Sequence, residues 1–187
     1  MPNTPLRICA FDLETVGIIP DVGIILCAVL KEPGQDPTVL RIDECNPDWA
    51  ARPQDDQRLV DQLARRLEEY DVWVVFNGAC FDIRFVRGRL AHWGLTPLAT
   101  RALIDPYLLA RGQLRLPKHS LAALASYLGL GRKCRLNTSV WARATIHADR
   151  EALDQIVEHC QNDVVLLERL LPYLKTHCPQ PNDWGLS

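Results

Sequence analysis

Residues 22–30, VGIILCAVL, contain no charged or hydrogen-bonding polar side chain, and Gly and Pro signals bound them. A run this short falls well below the roughly 18 residues that a membrane-spanning helix needs. It therefore predicts a strand buried in a sheet, which constrains the fold more than any other stretch of the chain. Residues 6–13, LRICAFDL, read as a second buried strand, and TVLRI at 38–42 as a third. The connections among the three are short, which favours antiparallel pairing.

Beyond this point the apolar period lengthens. Leu59, Leu63, Leu67 and Tyr70 mark one stripe of a helix that Asp55 or Asp56 can cap, with Asp61–Arg65 and Arg65–Glu69 as favourable (i, i+4) pairs. VWVVFN (72–77) predicts a strand. A helix from 81 to 93 follows and stops at Gly94, then a short strand at 101–105. The next helix has Ser120 as its cap and Gly129 and Gly131 as its stop. Residues 132–140 read as loop, and 149–175 as helix with a break near Glu158. The resulting order, β-β-β-α-β-α-β-α-α, predicts an α/β fold. Its mixed five-stranded sheet has three antiparallel strands plus two parallel crossovers, with helices on both faces. Residues 1–187 read as a single domain, with a core over about 6–174 and a tail over 178–187.

Seven scattered cysteines, with no CxxC among them, argue against a disulfide framework or zinc knuckle and for a reducing cytoplasm. The first residues show neither the basic nor the apolar region of a secretory leader. A net charge of −2 excludes a broadly basic coat protein for nucleic acid, yet residues 106–148 hold no acid. The same stretch carries Arg111, Arg115, Lys118, Arg132, Lys133, Arg135 and Arg143. This strip is either a track for phosphates or solvated surface.

The acids fall in three places. Asp12 and Glu14 alternate along a strand, so they share a face, with Cα atoms roughly 6.6 Å apart. Asp82 closes the segment NGACFD, in which Gly78 permits a tight turn. His159 and Asp163 are (i, i+4) neighbours on a helix. Each pattern alone has an ordinary structural explanation. Together, four carboxylates in one pocket would repel by about 4 kcal/mol per pair near 4 Å at an effective dielectric near 20. Hard divalent cations remove that penalty, and two of them suit phosphodiester cleavage. Asp105 is a rival fourth acid, better explained as the cap of a helix opening at Pro106. Asp154 reads as solvent-facing, and core or rim packing is the better reading of Trp93, Trp141 and Tyr127.

On these motifs the chain resembles the DEDD family of 3′–5′ exonucleases, within the ribonuclease-H-like superfamily. Asp12-x-Glu14, Asn77-Gly78-x-x-Phe81-Asp82 and His159-x-x-x-Asp163 are similar to its three exonuclease motifs, and the resemblance covers about residues 6–174. Residues 119–134 are similar to the segment before the third motif in family-B-polymerase-type exonuclease domains. HCQND is similar to the third motif of a subgroup of ribonuclease-H-like nucleases. The resemblance implies a ribonuclease-H-like fold and a metal-dependent 3′–5′ exonuclease acting on single-stranded DNA or RNA. Asp12, Glu14, Asp82 and Asp163 would hold two Mg²⁺ or Mn²⁺ ions, and His159 would orient or deprotonate water. Asn77 and Thr15 would contact the terminal nucleotide. The His-type branch places its His five residues before the last Asp. Here His159 lies four before, the place of Tyr in the Tyr-type branch, and Glu158 holds the five-back position. Three readings follow: His159 replaces the Tyr in place, the helix is locally irregular, or activity is weakened. The first is favoured. A nucleic-acid-binding domain with little chemistry and an endonuclease on the same site are the alternatives in function.

Overall fold

The computed structural model describes residues 5–178. The expected tail, apart from Cys178, lies outside the described residues. Five strands form one sheet in the order β3-β2-β1-β4-β5: β1 (Ile8–Val16), β2 (Ile24–Lys31), β3 (Thr38–Arg41), β4 (Val72–Val74) and β5 (Ala102–Ile104). β2 pairs antiparallel with β1 and β3, while β4 pairs parallel with β1 and β5. All eight residues of β2 are buried. Such a strand must be covered on both faces, as its apolar run from Ile24 to Leu30 requires. The helices α2 (Gln57–Glu68) and α7 (Arg150–His177) both pack on it. The expected mixed sheet is present. Among the described residues no helix is long and apolar enough to cross a membrane.

Several boundaries differ from the sequence expectation. β1 extends to Val16, so Asp12 and Glu14 lie within the strand rather than at its end, with an irregularity in register between Glu14 and Thr15. β4 ends at Val74, because the chain then leaves the sheet through a turn. Helix α3 (Asp82–His92) stops as expected, with Gly94 at φ +62°. The helix opening at Pro106 is α4 (Pro106–Gln113). Ser120 caps α5 (Leu121–Tyr127) by accepting from the Ala123 N–H at 3.3 Å. Two elements were not expected: the single turn α1 (Ile42–Cys45) and α6 (Ser139–Ile146). Of α6 only Val140, Ala144 and Thr145 are buried, too short a stripe to show as a period. The expected break near Glu158 is absent. Buried Leu153, Ile156, Val157, Cys160, Val164 and Leu167 keep one helical face continuous through it, and Asp149 caps α7 through the Ala152 N–H.

Asp56 stands at the N-cap position of α2 but its side chain makes no cap. It receives Arg89 instead (Nη2 to Oδ1 2.6 Å, Nε to Oδ2 3.0 Å), together with the Trp93 indole N–H at 2.7 Å and the Ile25 N–H at 2.8 Å. Both charges are almost fully buried, and Arg89 also donates to the Pro20 carbonyl. This fork ties α2 and α3 to the loop between β1 and β2. Of the expected surface pairs, Asp61–Arg65 forms, while Glu69 is taken by Arg66 and Arg7.

Candidate metal centre

β1 is the middle strand of the sheet, so its acids emerge where elements from both sides meet. Asp12 and Glu14 line a cleft of about 590 Å³ together with Asp82 and Asp163. Leu13 reaches the lining too, which strict alternation does not anticipate. Phe76, Phe81 and Tyr107 supply aromatic walls, and Ser120 and Leu121 of the α5 segment close the far side.

Asp82 is delivered by the turn after β4. The residue with left-handed backbone there is Asn77 (φ +58°), a conformation that Asn tolerates. Gly78 serves a different need: a Cβ on it would lie 2.2 Å from Val75 Cγ1. The Asn77 N–H donates to Asp105 Oδ1 at 2.8 Å, and the same oxygen accepts the Tyr107 N–H at 3.1 Å. Asp105 is thus a cap, in line with the structural explanation of it. Asn77 lines the cleft. Thr15 lines an adjoining groove of about 410 Å³ with Gly17, Ile18 and Trp141, and its hydroxyl donates to the Gly17 carbonyl at 2.9 Å.

α7 brings the remaining pair. His159 is 7% exposed, with Nε2 3.6 Å from Glu14 Oε1 and 4.0 Å from Asp163 Oδ2. Glu158 faces solvent. The helix is regular here, so the four-residue spacing itself places His159 in the cluster, and the irregular-helix reading is set aside. Asp154 is exposed and pairs with Arg41 at 2.7 Å.

The electrostatics are those of too much negative charge in too little water. Burial and the charge of Asp163 push the Asp12 carboxyl up to about 7, against the pull of Lys133. Burial and Asp12 push Glu14 up to about 8. Asp82 is held well above its ordinary range by burial and Asp12. Burial pulls His159 below its ordinary 6.5, opposed by Asp163. Two buried atoms of this group, His159 Nδ1 and Asp163 Oδ1, have no hydrogen-bond partner. Leaving such an atom unmet costs about 1–3 kcal/mol. Glu14, His159 and Asp163 offer ligand atoms within 4.8 Å of one another. The four carboxylates of the cleft suit a hard divalent ion, which would satisfy the unmet oxygen and offset the crowded charge.

Three further neighbours complete the site, and of these only Cys160 gave no signal in the sequence. The Cys160 thiol lies 3.4 Å from the Asp12 carbonyl and 3.6 Å from Asp12 Oδ2. Trp141 sets its ring edge-on to His159, with centroids 6.2 Å apart, so it belongs to the site's packing. Lys133 forms an ion pair with Asp163 Oδ2. Burial works against its ammonium, but Asp163 and Asp12 outweigh this and raise its pKa. The acid-free stretch was a signal for Lys133, without resolving it from six other cations. Of those, Arg111 lies over the Tyr107 ring and Arg143 pairs with Asp149, while Arg115, Lys118, Arg132 and Arg135 are exposed. Trp93 is bound to Asp56, as packing predicts, and Tyr127 is exposed.

The fold that presents this cluster is shared with known proteins. The profile of the RNase H superfamily matches residues 9–175, and the chain belongs to that superfamily. Among solved structures it is similar to the family B DNA polymerase from the hyperthermophilic archaeon Pyrobaculum calidifontis. The TM-score is 0.66 and the identity 19%, over 94% of this chain and 26% of the polymerase chain. The likeness concerns the fold, and the chain spans about a quarter of the polymerase's length. No curated protein matches the chain by sequence. The ribonuclease-H-like α/β fold expected from the motifs is the fold observed.

Proposed function

We propose that the protein is a nuclease of the DEDD type, a divalent-metal-dependent 3′–5′ exonuclease that shortens single-stranded DNA or RNA. The observation that carries this reading is the convergence of Asp12, Glu14, Asp82 and Asp163 in one cleft, with His159 beside them and a buried oxygen of Asp163 unmet. Asp12, Glu14, Asp82 and Asp163 would hold two Mg²⁺ or Mn²⁺ ions. Bound there, such ions supply Lewis acidity toward a phosphodiester and offset the charge that develops as it is cleaved.

The chain's own residues do the rest. The cleft and its three aromatic rings accept bases of a strand end, since every base offers a face for stacking. Asn77 and Ser120 present polar groups to the terminal sugar. Held neutral by burial, His159 turns Nε2 toward Glu14 and Asp163 and takes a proton from the attacking water on that side. Trp141 and α6 shield the other side of the imidazole from solvent.

Incubation of a 3′-blocked and a free single-stranded oligonucleotide, each end-labelled, with Mg²⁺ or Mn²⁺ tests the reading. Stepwise shortening of the free strand, abolished by chelator and by Asp12→Ala, is expected. Cleavage that survives either treatment overturns the mechanism, and internal fragments from the blocked strand show endonuclease action instead.

A further inference from the structure

We propose that Lys133 is a positioning residue for the carboxylate cluster. It is a resident cation that holds Asp163 in the cluster, and a divalent ion displaces it on binding. The inference rests on the metal-dependent reading above and adds a step to it.

Lys133 is the one cationic side chain among the described residues lining the cleft. Its ammonium is ion-paired to Asp163 Oδ2, and it acts on Asp12 and Glu14 as well. Asp163 is 3% exposed, so this contact is made in a place where charge is poorly screened. The partner oxygen Oδ1 of the same carboxylate has no hydrogen bond at all. One lysine therefore satisfies only half of Asp163. It neutralises one charge in a group of four acids that line the same cleft.

The way Lys133 is mounted suits a group that leaves. It reaches in from the segment between α5 and α6, entered through Gly129 (φ +69°) and Gly131 (φ +133°), and belongs to no helix or strand. Arg132 and Arg135 on either side are exposed, and the Lys133 side chain is 32% exposed. A lysine stem is flexible and its ammonium is readily hydrated. A divalent ion brings twice the charge to the same oxygens and needs Asp163 as a ligand. The two cations then compete for Oδ2, and the ammonium turns out into solvent. By linkage, whatever the metal does to the Lys133 contact, that contact does to the metal in equal measure.

The test compares wild type with Lys133→Met by calorimetric Mn²⁺ titration at pH 8, and by thermal melts in chelator and in saturating Mn²⁺. The expected result is Mn²⁺ affinity about tenfold tighter in the variant. Its melting temperature is lower in chelator and equal to wild type in saturating Mn²⁺. Lys133→Arg, which keeps the charge, recovers most of the loss in chelator. Equal destabilisation with and without Mn²⁺ would show an ordinary structural pair, and weaker Mn²⁺ binding would show a residue that assists the metal; either overturns the inference alone. Wild-type protein that binds no Mn²⁺ would overturn the metal reading and this inference together.

Discussion

His159 is the residue whose spacing departs from the motif it resembles, and its surroundings give that departure a chemical meaning. Burial lowers its pKa below the ordinary 6.5, so it is neutral at pH 7 and able to receive a proton. The rate should therefore rise with pH through a value below 6.5 and be level at neutrality, for as long as this proton transfer limits turnover. His159→Ala should reduce turnover by about 10²–10⁴-fold. Mn²⁺ affinity, measured by titration, should change far less. Equal losses in the two would make the imidazole a ligand. His159→Tyr should move the rising limb toward higher pH, because a phenol titrates near 10.

At the scale of elements, the turn from β4 to α3 holds the most structural information per residue. Asn77 carries the left-handed backbone, while Gly78 is small because Val75 occupies the space where a Cβ would go. Gly78→Ala should cost on the order of 1–3 kcal/mol in urea unfolding, the usual penalty for overpacking. Pairing it with Val75→Ala should be less costly than the two single changes summed, because the second removes the clash made by the first. This turn also shows what the sequence could convey. That Asp82 follows a tight turn was legible from Asn-Gly before an apolar helix. Which of the two residues took the unusual backbone was not, because Val75's position is set by tertiary packing. In the same way, the regular period of α7 was visible in its leucines and valines, yet the run around Glu158 suggested a break that its buried face does not show. Asp56 was legible as a helix start and not as the receiver of Arg89, a partner 33 residues away. The acids of the cluster were readable from local spacing. Lys133 showed as one cation of an acid-free stretch and Trp141 as a packing aromatic, but that they and Cys160 meet the cluster is decided by folding, which no local pattern reports.

For the molecule as a whole, the cluster links protonation, cation binding and stability. Asp12 moves from 3.8 to about 7 and Glu14 from 4.5 to about 8 on folding. Below about pH 3 both groups are protonated in either state and cost nothing. As the pH rises, the unfolded chain loses these protons first, so it binds fewer protons than the folded one and stability falls until about pH 8. Thermal melts in chelator should show this decline from pH 5 to 8, and Asp12→Asn with Glu14→Gln should flatten it. Added Mg²⁺ should raise the melting temperature more at pH 8 than at pH 6, since at the lower pH it must displace protons to bind. A stabilisation that is largest at pH 6 would count against the carboxylates as its ligands.

The cluster draws on positions 12, 14, 82 and 163, with α7 packed across β1 and β2 to complete it. A chain emerging from the ribosome cannot gather these groups until α7 has been synthesised and has docked. On the proposed reading, nascent fragments do not act on nucleic acid nearby, and a shortened product lacking that helix is expected to be inert rather than merely slow.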